Sequence, residues 1–118
     1  DSIVRGTTSA RIVWLLREAG ATEVHMLVSS PPFVNPCYFG TDIDSKENLI
    51  ACRLNSVEEI AREIGVDSLG FLSVDSVNRI AKNADCKFCD GCFTGQYPLE
   101  IPGQAPKDKF EEKIIKRK

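Results

Sequence analysis

The chain has 118 residues, 42% of them hydrophobic, enough for one hydrophobic core and not for two. A net charge of −2 and the lack of any apolar run of membrane-spanning length in this sequence give no general case for a nucleic-acid or membrane partner, and no secretory leader is expected. Five cysteines, an odd number, argue against a complete disulfide framework.

In chain order, the first feature is "DSIVRGTTS", Asp1 to Ser9. Gly6 can take a positive φ and lets a ligand approach the backbone without a Cβ in the way. Thr7, Thr8 and Ser9 add hydroxyls and backbone N–H groups. Directly behind them Ile12, Val13, Leu15, Leu16 and Ala19 recur at helical spacing, which predicts one apolar helix face with Thr7 or Thr8 as N-cap. The first turn of such a helix carries free N–H groups and the positive end of its dipole, and it suits a phosphate. Asp1 stands upstream, where a carboxylate takes sugar hydroxyls or a magnesium ion. The plain alternative is an ordinary helix cap after a turn.

Gly20 is the expected end of this helix. "VHMLV", Val24 to Val28, fits a buried parallel strand, and "SSPPFVNP" breaks regular structure with three prolines. Ser56-Val57-Glu58-Glu59 is a capping box opening a helix with Val57, Ile60, Ala61 and Ile64 on one face, ended by Gly65. Leu69 to Leu72 is a strand candidate. Ser73 caps a third helix with Val77, Ile80, Ala81 and Ala84 facing inward. Alternating helices and strands predict an α/β layer with a parallel sheet. His25, the only histidine, reads as a packed or edge strand residue rather than a catalyst.

"CKFCDGC" places Cys86, Cys89 and Cys92 as overlapping C-x2-C pairs, the spacing that lets thiolates reach one metal from a tight loop. Lys87 within it is a cation of the kind expected to favour thiolates. Cys37, behind Pro36, is a distant fourth thiol, and Cys52 reads as a buried apolar residue. Tyr38, Phe39, Phe88 and Phe93 flank these cysteines and are expected to wall them from water. Zinc, an iron–sulfur cluster and redox use all remain open on spacing alone. The end of the chain, Lys107 to Lys118, carries a net charge of +3 against −5 elsewhere, and reads as a solvated basic tip.

"DSIVRGTTS" resembles the phosphoribosylpyrophosphate-binding motif of the type I phosphoribosyltransferases, with Asp1 as the second of the motif's two acids. "REAGATEVH", "SSPP", "PCYFG" and "CFTGQYP" narrow the resemblance to the C-terminal part of the amidophosphoribosyltransferase family, its iron–sulfur type, from Asp1 to about Ile101. The resemblance implies residues 1–84 as the C-terminal part of a phosphoribosyltransferase domain, 85–101 as a cysteine-rich cluster segment and 102–118 as a basic tail. It implies purine biosynthesis, 5-phosphoribosylamine being made from phosphoribosylpyrophosphate and glutamine. It further implies substrate contacts from Asp1, Ser2, Arg5, Gly6, Thr7, Thr8 and Ser9, and magnesium on Asp1. A 4Fe–4S cluster would sit on Cys37, Cys86 and Cys89, with Cys92 a neighbour directed elsewhere and the fourth ligand upstream. Purine nucleotide inhibitors, a cytoplasmic location and an oligomer of the intact protein follow in the same way. Glutamine would act through a domain preceding Asp1, and the strand that positions the loop is expected there too. This stretch is therefore expected to be an inactive piece of a longer enzyme. Gly6→Val is expected to abolish substrate binding with little loss of fold. A non-catalytic regulator with the same fold and a cysteine-based metal module are the rival expectations.

Overall fold

Gly6 sets the first element. It holds φ 87°, a left-handed conformation, and starts the helix α1 (Thr7–Glu18) with no side-chain cap. The cap is therefore Gly6 and not Thr7 or Thr8, because the left-handed turn alone brings the chain into the helix. The computed structural model describes residues 2–43 and 45–101. In these, α1 is followed by β1 (His25–Val28), a 3-10 turn (Lys46–Asn48), α2 (Ile50–Arg53), α3 (Val57–Ile64), β2 (Ser68–Phe71), α4 (Val74–Ile80) and α5 (Gly91–Thr94).

The strands pair in parallel, with His25 opposite Ser68 and Val28 opposite Phe71, so the fold is α/β as the alternation predicts. Each starts or ends a residue from its expected bounds. The crossover between them carries α2 and α3. α1 ends in a Schellman closure: Gly20 N–H donates to Arg17 O at 2.9 Å and Ala21 N–H to Leu16 O at 3.0 Å. α3 opens on the expected box, Glu59 N–H donating to Ser56 Oγ at 3.1 Å, while the Glu59 carboxylate reaches back to the Asn55 N–H at 2.8 Å. Ser73 caps α4 through Ser76 N–H at 3.1 Å.

One core joins these elements: Ile3, Val13, Val24, Val28, Ile50, Ile60, Ile64 and Val66, all β-branched and hence stiff at χ1. A smaller one holds Phe33, Ile43 and Leu49. Arg17 clamps the margin, donating to Asp67 Oδ2 at 2.7 Å and to Gly65 O at 3.1 Å, and Val24 N–H donates to the same Asp67 oxygen at 2.7 Å.

Two expected faces differ. On α1 only Ser9 and Val13 are buried, and Ile12, Leu15 and Leu16 are about half exposed. The helix touches α3 along one narrow line, so the rest of its apolar stripe meets solvent. On α4 nothing is fully buried and Ile80 is 77% exposed, because no described element packs extensively against it. Among the described residues no helix is long and apolar enough to cross a membrane.

Candidate functional site

The segment before α1 and its first turn surround an open hollow of about 440 Å³, lined by residues 2–9 and by Asp42. Every described residue expected at a substrate site, Ser2, Arg5, Gly6, Thr7, Thr8 and Ser9, is on this wall. Thr7, Thr8 and Ser9 occupy the first helical positions, where N–H groups have no acceptor within the helix. No side chain caps them and no acid stands in the first turn, which leaves the positive end of the dipole uncompensated from within α1. Asp1, the expected magnesium and sugar ligand, lies outside the described residues, as does the basic tail 102–118.

Gly6 has a reason for being glycine that the sequence did not show. It is buried, and a Cβ there would stand 2.6 Å from Ile50 Cδ1 and 3.4 Å from Ile64 Cγ2. The backbone closely approaches the core beneath the loop. Gly6→Val would therefore strain the fold, contrary to the sequence-based expectation.

The cysteines meet in a second, smaller cavity of about 180 Å³. Its lining includes Cys37, Cys89 and Cys92 with Phe33, Phe39 and Tyr97. Cys86 is exposed and is not on this wall, whereas Cys92, expected to face elsewhere, is. The cause is backbone pairing: the amides of Val34 and Asn35 both donate to Cys92 O at 3.0 Å, drawing α5 against the segment that carries Cys37. Tyr97 completes the clamp. Its hydroxyl donates to Pro36 O at 2.6 Å, and its ring lies against Gly91, where a Cβ has no room. Phe33 and Phe93 stack with centroids 5.1 Å apart. Burial pushes the Cys92 thiol above its ordinary value; its own backbone hydrogen bond opposes this, and the nearby Cys37 and Cys89 sulfurs add to it. Phe88 is 62% exposed and walls nothing off. Cys52, expected to be buried, is exposed, its thiol donating to Val34 O at 3.4 Å.

Among the described residues no group of three or more His, Cys, Asp or Glu is arranged to hold a single metal ion. The expected convergence of sulfurs on one point is thus not the geometry seen; the thiols are instead spread around a cavity. Thiolates remain the donor type that soft metals and iron–sulfur clusters take.

One strap separates the two cavities. Thr41 and Ile43 line the cysteine side, and Asp42 between them lines the hollow by α1. Ile43 N–H donates to Thr41 O at 2.8 Å and Cys37 N–H to Ile43 O at 3.2 Å, while the Ile43 side chain is 4% exposed. Asp42 and Tyr97 were not singled out by the sequence. The acid between a Gly-Thr pair and a buried isoleucine carries no local signal of its role.

His25 is an exposed strand-edge residue. Its Nδ1 is 2.8 Å from Ser68 Oγ and its Nε2 is 3.1 Å from Glu23 Oε2. The trio resembles a nucleophile relay in composition only: Ser68 lines a third open cavity of about 370 Å³, but His25 and Glu23 do not.

No family model matches the chain. An amidophosphoribosyltransferase of Bacillus subtilis (strain 168) is 56% identical over 105 residues, covering 86% of this chain and 22% of that protein. By sequence and fold, the chain is similar to one part of the amidophosphoribosyltransferases. A chloroplastic amidophosphoribosyltransferase of Arabidopsis thaliana is 58% identical over 100 residues, covering 85% of this chain and 18% of its own length. A solved structure of the B. subtilis glutamine phosphoribosylpyrophosphate amidotransferase, complexed with ADP and GMP, superposes with a TM-score of 0.77 at 54% identity over 87% of this chain and 23% of that one. The chain spans about a fifth of the length of the amidophosphoribosyltransferases it matches.

Proposed function

We propose that this chain is the ribose 5-phosphate-holding part of an amidophosphoribosyltransferase. The observation that carries the reading is an uncapped helix amino end facing a hollow, in a segment that matches this family over most of its length. In the intact enzyme, ammonia released from glutamine displaces pyrophosphate from C1 of phosphoribosylpyrophosphate and gives 5-phosphoribosylamine, the first committed step of purine synthesis. The amides and hydroxyls of Thr7, Thr8 and Ser9 would grip the 5-phosphate, which fixes the sugar for attack. Their contribution is positioning and electrostatic, with no covalent step on this chain. A purine nucleotide inhibitor with a 5′-phosphate would compete for the same amides.

The cysteine cavity would hold a 4Fe–4S cluster. A cluster distributes its thiolate ligands over several irons, so sulfurs spread around a cavity suit it better than they suit one zinc ion. On this geometry Cys37, Cys89 and Cys92 are the ligands and Cys86 is not, with the fourth ligand outside this set. When bound, the cluster would tie the strap and α5 together, and the half-buried aromatic wall would restrict access of oxygen.

The test is phosphate binding to the full chain, followed by 31P NMR titration, with Thr8→Glu as the variant. A carboxylate in the first turn favours the helix by about 0.3–1 kcal/mol, so the fold survives while the added charge occupies the phosphate's place. Phosphate affinity should fall at least about tenfold, roughly 1.4 kcal/mol. Unchanged affinity in a folded Thr8→Glu chain would refute the loop's role.

A further inference from the structure

We propose that Asp42 is the residue that selects a phosphorylated sugar over bare phosphate in the hollow at the start of α1. This rests on the phosphate-loop reading above and adds to it a residue from a distant part of the chain. The hollow is electrostatically two-sided. One side presents the amides and hydroxyls of Thr7, Thr8 and Ser9, with Arg5 on the same wall; Asp42 is the one acid on its described lining. Its side chain has no hydrogen-bond or ion-pair partner among the described residues. Asp42 is an exposed residue on a defined backbone. The tight turn from Thr41 to Ile43 and the burial of Ile43 fix the point from which the carboxylate projects.

A carboxylate sharing a hollow with an anion site repels an anion that offers it nothing. The arrangement becomes favourable only for a ligand that brings hydrogen-bond donors along with its phosphate, because an ionised carboxylate is an acceptor and nothing else. A ribose 5-phosphate supplies both: an anionic end for α1 and hydroxyls for Asp42. The cavity of about 440 Å³ falls in the size range of small-molecule sites. Discrimination is then a difference between two terms of opposite sign, a charge-assisted hydrogen bond to the sugar and a repulsion felt by phosphate alone.

The experiment measures dissociation constants of ribose 5-phosphate and of inorganic phosphate for the full chain, for Asp42→Ala and for Asp42→Asn, all in EDTA. Asp42→Ala should weaken ribose 5-phosphate about tenfold or more, while inorganic phosphate binds equally well or tighter. Asp42→Asn, which keeps an acceptor oxygen but no charge, should fall between. Ribose 5-phosphate unchanged in Asp42→Ala overturns the proposal, and so does a parallel loss of both ligands, which would make Asp42 a framework residue. A dependence on Asp42 that appears only when magnesium replaces EDTA overturns it too, in favour of a bridging cation. If the unaltered chain binds neither ligand, the phosphate-loop reading itself falls; phosphate binding that ignores Asp42 removes this inference alone.

Discussion

Replacing Gly6 by alanine tests what the loop's glycine is for. Two costs can be read from the structure. A left-handed φ of 87° costs a residue with a Cβ about 1–2 kcal/mol. The new Cβ would also sit 2.6 Å from Ile50 Cδ1, and Ile50 is 1% exposed, so that methyl has little space to retreat into. Overpacking of this kind costs about 1–3 kcal/mol. The gain from a stiffer unfolded chain, about 0.4–1 kcal/mol, applies only where the native backbone accepts the new residue, which this one does not. The expected loss is therefore about 2–5 kcal/mol. Urea unfolding of the full chain, followed by far-UV circular dichroism, reads it as a fall in midpoint at constant slope. Ile50→Val separates the two costs: it removes Cδ1 at about 0.5–1.5 kcal/mol by itself, and the double variant should recover roughly 1 kcal/mol relative to the sum. A Gly6→Ala chain within about 0.5 kcal/mol of the unaltered one would refute the packing argument, as would strict additivity with Ile50→Val for the clash.

Iron content of the reconstituted full chain should drop for Cys37→Ser, Cys89→Ser and Cys92→Ser and be retained for Cys86→Ser; iron lost at Cys86 and kept at Cys92 would return the ligand set to the one the family resemblance implies. Asp67 carries a pH signature. The Val24 amide, and after it the Arg17 guanidinium, hold its carboxyl below the ordinary value of 3.8. The unfolded chain thus binds this proton first as pH falls, and the stability Asp67 contributes is present above about pH 4 and lost through and below 3.8. The stability gap between the unaltered chain and Asp67→Asn should accordingly narrow between about pH 6 and pH 3; a gap of constant size would show that the carboxylate's charge is irrelevant.

What could be read from the sequence was local. The Ser56–Glu59 box, the Ser73 cap and the glycines closing α1 and α3 each act within a few residues, and all are found. The parallel pairing of β1 and β2 follows from the alternation of elements. The loop at Arg5 to Ser9 was legible for the same reason, since glycine, hydroxyls and a helix start lie side by side. Misreadings came where a distant surface decides. Periodicity shows that α1 and α4 have apolar stripes, but not whether anything covers them, and Ile80 is left exposed. Spacing cannot rank Cys86, Cys89 and Cys92, because the choice is made by the Val34 and Asn35 amides reaching across to Cys92. Asp42 is beyond any local rule: what matters is which residues face it, and those lie at the other end of the sequence.

The strap from Cys37 to Ile43 is a party wall, and party walls complicate attribution. Thr41 and Ile43 line one chamber and Asp42 the other, on a backbone held by a short turn. A displacement of the wall on the sulfur side is expected to displace it also on the side of the hollow by α1. By linkage, any influence in one direction must return with equal size in the other. A defect in ligand binding after a change at Cys37 or Ile43 therefore does not identify that residue as a ligand contact, and a defect in metal content after a change at Asp42 does not make it a metal ligand. Genetic evidence from this strap becomes interpretable only as epistasis, with one substitution on each face and the pair together.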